Sequence, residues 1–224
     1  MRAKRVAWII IVALVAYVAV GSLLNYVVFP EPGPLPSDTP RAGVRIHNEA
    51  IQSTFVYRRT ASETNGQIFE WDNYIKKGGG PIDHPHVHEL AEERFRVING
   101  ALRIVVDGKE SIVETGQEVV VPPGSLHGFQ AIADGTTYVV SSLSPPFQVD
   151  EVYVQMARAG GLWRVSPIQL LVFATRYDTK TGVPGLPPFK LARALGYLVA
   201  PTARLFGIKS YYPPPSLPTR DLSN

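Results

Sequence analysis

Residues 80–100 read GPIDHPHVHELAEERFRVING, and residues 116–127 read GQEVVVPPGSLH. In the first stretch five residues separate Gly80 from His86, one separates His86 from His88, four separate His88 from Glu93, and six separate Glu93 from Gly100. In the second, five lie between Gly116 and Pro122, one between Pro122 and Gly124, and two between Gly124 and His127. Three imidazoles and one carboxylate at these intervals make a metal site if the two stretches lie side by side in one sheet. Neutral imidazole nitrogens and a carboxylate suit divalent iron, manganese, nickel, copper or zinc, and four ligands on one side leave positions open for water or substrate. His86 and His88 are two apart, so on an extended chain both point to the same face. From Glu93 the run alternates, with Glu93, Phe95 and Val97 inward and Arg94 and Arg96 outward. Asn99-Gly100 is a two-residue hairpin signal, which predicts Ala101 to Val106 as the partner strand, and Asp107-Gly108 predicts a further turn. The stiff turn at Pro122–Pro123–Gly124 aims His127 back toward the other three ligands.

These stretches resemble the paired motifs of the cupin superfamily, G-x5-H-x-H-x3-4-E-x6-G and G-x5-P-x-G-x2-H-x3-N. Every position of the first is present, and every position of the second except the last, where Ala131 stands in place of Asn. That departure touches packing rather than ligation. The fifteen residues from Ala101 to Thr115 between the motifs are similar to the spacing of compact microbial cupins. The resemblance implies a mainly β fold, a double-stranded β-helix or jelly-roll barrel, with His86, His88, Glu93 and His127 holding a divalent metal in its mouth. The run EERFRVINGALRIVVDG is also similar to bacterial quercetinase-like cupins. It implies a metal-dependent dioxygenase, with Glu93 as the catalytic group. Cupins commonly pair through their sheets, so the resemblance implies a homodimer as well.

Working outward, residues 1–29 carry the second clear signal. MRAKR is basic, and Ala7 to Phe29 is a 23-residue span without a charge. At about 1.5 Å per residue it is long enough for a hydrocarbon core of roughly 30 Å. Basic residues before the span place the N-terminus in the cytoplasm and the rest outside. A cleaved signal peptide is the competing reading, since Ala19-Val20-Gly21 is a tolerable cleavage site. Apolar character running past that site, through Leu23, Leu24 and Val27–Phe29, favours an uncleaved single-pass anchor.

The chain of 224 residues has a formal charge of +3 and no cysteine, which excludes disulfides and thiolate metal sites. Arg2, Lys4 and Arg5 precede every acidic residue, leaving nineteen basic against nineteen acidic side chains. No basic patch with interleaved aromatics is apparent, so nucleic acid is not an expected partner. Residues 30–42 hold five prolines between Pro30 and Pro40 and read as a semi-rigid spacer holding the barrel off the membrane. Residues 43–149 form the expected barrel, with strands at Ser53–Arg59, Gln67–Ile75, Phe129–Ile132 and Thr136–Leu143. Ser144–Pro145–Pro146 ends it.

Residues 150–224 turn helical. Ser166-Pro167 is a capping hydroxyl with proline in the first turn and starts a helix through Tyr177. A second helix runs from Phe189 to Val199, with Leu191, Leu195 and Leu198 on one face and a break or kink at Pro201. Residues 158–224 carry nine basic against two acidic side chains, whereas 31–157 carry ten against seventeen. The basic region either caps the acidic barrel, the more usual fate of amphipathic helices, or lies on an anionic bilayer. In the second case Trp163, Tyr197, Phe206, Tyr211 and Tyr212 sit at the interface. Thr219–Asn224 reads as a polar tail.

Of the remaining candidates, His84 is a loop residue, a hydrogen-bond donor behind the ligands or a gate, His47 a surface or packing histidine, and Glu92 an outward neighbour of the ligand. Phe95, Val97, Ile104 and Phe129 read as core, and an apolar barrel favours an apolar or aromatic small molecule. Three functions fit this pattern. The first is a membrane-anchored metal-dependent dioxygenase of a small organic substrate. The others are a tethered small-molecule binding or sensor module, and a non-redox metal-assisted isomerase or hydrolase.

Overall fold

The computed structural model describes residues 2–28, 30–161 and 164–214 of the chain. Helix α1 (Arg2–Leu23) continues as a π-helical turn, Leu24–Val28. Among the described residues it is the one helix long and apolar enough to cross a membrane, by length and composition. Phe29, the last residue of the expected span, lies outside the described residues, as do Trp163 and the tail Thr219–Asn224.

Eleven strands follow among the described residues, and nine of them build the barrel. A six-stranded antiparallel sheet has the order β1 (Arg45–Asn48), β2 (Ser53–Arg59), β3 (Phe69–Lys76), β10 (Thr136–Ser144), β5 (Glu92–Asn99) and β8 (Glu118–Val121). A three-stranded sheet, β7 (Lys109–Glu114), β6 (Ala101–Val106) and β9 (His127–Ala131), closes over one half of it. Alternation fixes which side chains enter. Leu143 on β10 lies opposite Glu93 on β5 and Phe69 on β3, and Ser141 lies opposite Phe95 and Trp71. All of these share the inner face. Under the three-stranded sheet that face buries Phe95, Val97, Leu102, Ile104, Phe129 and Val139, which fill the barrel.

One turn differs from its sequence reading. Asn99-Gly100 is not a hairpin: β5 pairs with β10 and β8, whereas β6 pairs with β7 and β9. The chain instead crosses from one sheet to the other. Gly100 has φ 94°, and a Cβ there would lie 2.6 Å from Thr137 Oγ1, so this corner needs glycine to pass so close to β10. Two-residue periodicity reports which way side chains face. It does not report which strand lies alongside.

The other half of the inner face is covered by helices. α2 (Val149–Arg158) and α3 (Pro167–Arg176) bring Val152, Tyr153, Met156 and Phe173 onto Phe55, Phe69 and Trp71. Phe69 stacks on Trp71 at 4.5 Å, and Tyr57 meets Phe69 edge-on at 4.6 Å. Tyr57 donates from its hydroxyl to the Asp150 carbonyl at 2.9 Å, stapling β2 to the first turn of α2. Ser166 caps α3 as expected, accepting from Gln169 N at 3.2 Å.

Helix α4 (Phe189–Leu205) runs past Val199 and takes Pro201 into its interior, so the proline does not end it. Its buried face is not the leucine one. Phe189, Ala192, Gly196, Ala200 and Ala203 turn inward, while Leu191 and Leu195 are exposed. Gly196 explains the choice, because a Cβ there would lie 2.2 Å from the carbonyl oxygen of Leu171. Small side chains let α4 lie hard against α3, closer than leucines would permit.

The proline-rich stretch is pinned rather than free. Glu31 accepts from Ser210 N at 2.6 Å and Tyr211 N at 2.9 Å, and lies 2.9 Å from the Arg204 guanidinium. Asp38 accepts from the Tyr211 hydroxyl. Prolines lack the N–H groups that would pair this stretch with a sheet. Its acidic side chains fasten it to the basic C-terminal segment instead.

Candidate metal centre

The four candidate ligands come from three places in the sheets. His88 lies on the short strand β4 (Val87–His88), Glu93 on β5 and His127 at the start of β9, while His86 immediately precedes β4. His86 and His127 are locked across an antiparallel bridge, each N–H donating to the other's carbonyl at 3.0 Å. The turn Pro122–Gly124 meets β4 through Gly124 N, which donates to the His88 carbonyl at 2.8 Å. These backbone ties bring the two sequence stretches together.

All four side chains are buried, and their ligand atoms lie within 4.8 Å of one another. His127 Nε2 is 2.8 Å from Glu93 Oε2, and His88 Nε2 is 3.3 Å from the same oxygen. The ring centroids of His86 and His127 are 4.4 Å apart, and those of His86 and His88 5.0 Å.

Hydrogen bonds behind the rings set the tautomers. His127 Nδ1 lies 3.1 Å from the Ser125 carbonyl, which only accepts, so Nδ1 carries the hydrogen. His88 Nδ1 lies 3.2 Å from Thr181 Oγ1, whose own hydrogen goes to the Thr179 carbonyl at 3.2 Å. Oγ1 therefore accepts, and His88 too carries its hydrogen on Nδ1. His88 Nε2 therefore turns its lone pair toward Glu93, whereas His127 Nε2, 2.8 Å from a carboxylate that only accepts, carries a hydrogen as well and donates it to Glu93 Oε2. Such backing is how proteins orient imidazole toward a cation.

The electrostatics suit a cation as well. Burial alone would push the Glu93 carboxyl up, but the hydrogen bond and charge of His127 and the nearness of His88 hold it well below the usual carboxylate range. Burial first, then the neighbouring His127 and His88, pushes His86 well below its ordinary value, so it is neutral. His127 is pulled up despite its burial, through its bond to Glu93. A buried carboxylate ringed by three imidazoles, two of them backed at Nδ1, is a donor set that fits a divalent metal once His127 gives up its Nε2 proton.

The sequence reading missed Thr181. It sits on β11 (Thr181–Gly182), which pairs with β4 by the register Thr181↔His88 and Gly182↔Val87. A two-residue strand between helices carries no periodicity to find. Glu89 ties the same region down, since Glu89 N donates to Lys180 O at 2.8 Å and its carboxylate accepts from Phe189 N at 2.6 Å, capping α4. The other candidates stay outside the cluster. His84 is exposed beside it, His47 pairs with Thr54 on the surface, and Glu92 points outward to Arg94.

A cavity of about 330 Å³ opens beside the cluster. It lies between the barrel mouth and the helical region. Asp83, His84, His86, Thr179 and Thr181 are its polar lining, and Val152, Met156, Leu170, Phe173 and Phe189 line much of the rest.

Residues 74–142 match the family model described as Cupin domain, and the barrel is a cupin. Over 129 residues the chain is 33% identical to a protein of Penicillium expansum described as "Probable oxidoreductase patJ". That match covers 50% of this chain and 38% of the relative. Over 66 residues it is 26% identical to the "Pectin degradation protein KdgF" of Dickeya dadantii, covering 30% of this chain and 59% of that one. The chain thus spans well under two thirds of either relative. A solved RmlC-like cupin from Shewanella frigidimarina is 19% identical with a TM-score of 0.38, covering 52% of this chain and 92% of that one.

Proposed function

We propose that this cupin is a membrane-anchored, metal-dependent oxygenase acting on a small apolar organic molecule. The observation that carries the reading is the buried cluster of three imidazoles and one carboxylate, one of whose members, His86, lines an apolar cavity. His86, His88, Glu93 and His127 would hold divalent iron, manganese, nickel, copper or zinc. Such an ion supplies a Lewis-acid site for the substrate's oxygen atoms and, where redox-active, a partner for dioxygen. The chain's own residues do the rest. Thr181 and Ser125 hold two imidazoles in one tautomer. The cavity walls exclude water and select apolar or aromatic ligands by size. Glu93 keeps its charge at neutral pH and accepts the substrate's proton at Oε2. α1 tethers the barrel outside the bilayer, with the N-terminus in the cytoplasm. The name of the Penicillium relative points the same way.

Metal content decides the reading. The full chain, purified in detergent, is compared by mass spectrometry with His86→Ala and His127→Ala. Near one iron, manganese, nickel or copper per chain, lost in both variants, is expected, followed by substrate-dependent oxygen uptake. Stoichiometric zinc without oxygen uptake would replace the oxygenase with non-redox chemistry. A folded chain that takes up no metal would leave a small-molecule binding module.

A further inference from the structure

Leu191, Leu195, Leu198, Thr202 and Leu205 recur along α4 at helical spacing and form one stripe. Leu191, Leu195 and Leu205 are exposed, Leu205 by 66%, and Phe206 just beyond it by 80%. Ile168 at the start of α3 and Tyr197 on α4 are exposed as well. Large apolar side chains gathered on one helix pair are unusual on a surface that meets only water. The inward face of α4 is already used against α3, and of the stripe only its C-terminal end, at Thr202, meets another element among the described residues.

Its C-terminal end meets the anchor. The Tyr17 hydroxyl of α1 is hydrogen-bonded to Thr202, and a Cβ at Gly21 would lie 2.6 Å from Pro201 Cβ. The apolar stripe therefore continues without interruption onto the lipid-facing surface of α1. The contact also gives a depth. Gly21 and Tyr17 lie seven and eleven residues before Val28, the last described residue of the span, about 10 and 16 Å at helical rise, so the C-terminal end of α4 is its deeper end. Interfacial helices bury their apolar faces by roughly 5–10 Å.

Charge agrees. Lys190 and Lys209 are exposed at the two ends of α4. Asp178, the one acidic residue described beyond 158, lies 2.7 Å from Lys180 and 3.8 Å from Arg193 and is already paired.

From this juxtaposition we infer that the outer face of α4, with the start of α3, lies in the headgroup–acyl boundary of the leaflet through which α1 leaves the membrane. The inference rests on the anchor reading of α1. The partner is an anionic bilayer, in which Leu191, Leu195, Leu205 and Phe206 enter the acyl region and Lys190 and Lys209 meet lipid phosphates. α4 thus has two faces, the inner holding the cap on the barrel and the outer holding the barrel to the membrane.

The cysteine-free sequence allows a direct test. Full-length chains carrying Val12→Cys, Lys109→Cys, Leu195→Cys or Phe206→Cys are nitroxide-labelled and reconstituted into phosphatidylcholine–phosphatidylglycerol vesicles. Collisional accessibility to oxygen and to a water-soluble nickel chelate is then measured. Oxygen should dominate at Val12, Leu195 and Phe206, several-fold above Lys109 on β7, with the α4 labels shallower than Val12. Water exposure at Leu195 and Phe206 with Val12 in lipid would overturn the docking and leave the anchor. Water exposure at Val12 would overturn the anchor and the docking together. Exclusion of both reagents from Leu195, with spin–spin broadening, would show a second copy on this face and also overturn the inference.

Discussion

Thr181 Oγ1 lies 3.2 Å from His88 Nδ1, across ninety-three residues of chain. A threonine from the helical region thereby fixes the orientation of a ligand in the barrel. Thr181→Val should keep all four ligands and lose the bond behind His88. Backing groups of this kind are worth about 10–100-fold in metal affinity. Chelator competition on the full chain should show that loss, with Thr181→Ser close to wild type. Equal affinity in all three proteins would remove Thr181 from the site.

Asp150, at the start of α2, is buried with one oxygen held by Ala61 N at 2.9 Å. Burial lifts its pKa from 3.8 to about 6, because the remaining hydrogen bonds offset desolvation only in part. The folded chain therefore binds this proton more tightly than the unfolded chain. The resulting stability is complete below pH 3.8, is lost as pH rises through about 6, and reaches at most about 3 kcal/mol. Asp150→Asn cannot ionise and keeps an acceptor for Ala61, so it should gain on the wild type across that window. Urea denaturation from about pH 4 to 7 reads the difference, and parallel curves would refute the assignment.

Gly196 and Leu191 separate the two faces of α4. Gly196→Ala forces a methyl group against the Leu171 carbonyl and should cost about 1–3 kcal/mol. Leu191→Ser, at an exposed position, should stay within about 0.5 kcal/mol in detergent. Thermal unfolding of both variants measures the contrast. The reverse ranking would mean that the leucine face is the packed one.

Ala174 is buried in the cavity wall. Ala174→Trp should fill the space without touching a ligand. Metal stoichiometry should be unchanged, while fluorescence enhancement of an added anilinonaphthalene sulfonate probe at the cavity should be lost. Probe binding equal to wild type would place the apolar site elsewhere.

Much of the barrel was legible because its signals are local. Ser53–Arg59 and Ala101–Val106 are strands with the expected ends, and the imidazole and carboxylate spacings marked the residues that converge. What escaped was non-local. Nothing around Asn99-Gly100 says that the strands on either side join different sheets. Thr181 has an ordinary loop sequence, and its role comes from lying opposite His88. The leucines of α4 mark one face, but apolar periodicity marks only a side that leaves water and does not say what covers it. The tighter contact with α3 is made by alanine and glycine, which periodicity weighs least.

The order of these pieces along the chain has a temporal consequence. All four candidate ligands are synthesised by His127, and Thr181 follows fifty-four residues later. At about 5–20 residues per second, that interval lasts roughly 3–11 s. During it the barrel can close while His88 still lacks the group that orients it and the cavity still lacks its roof. Ion capture by the nascent barrel and final tuning of the site are thus separate events, the second waiting on a segment that emerges after the barrel.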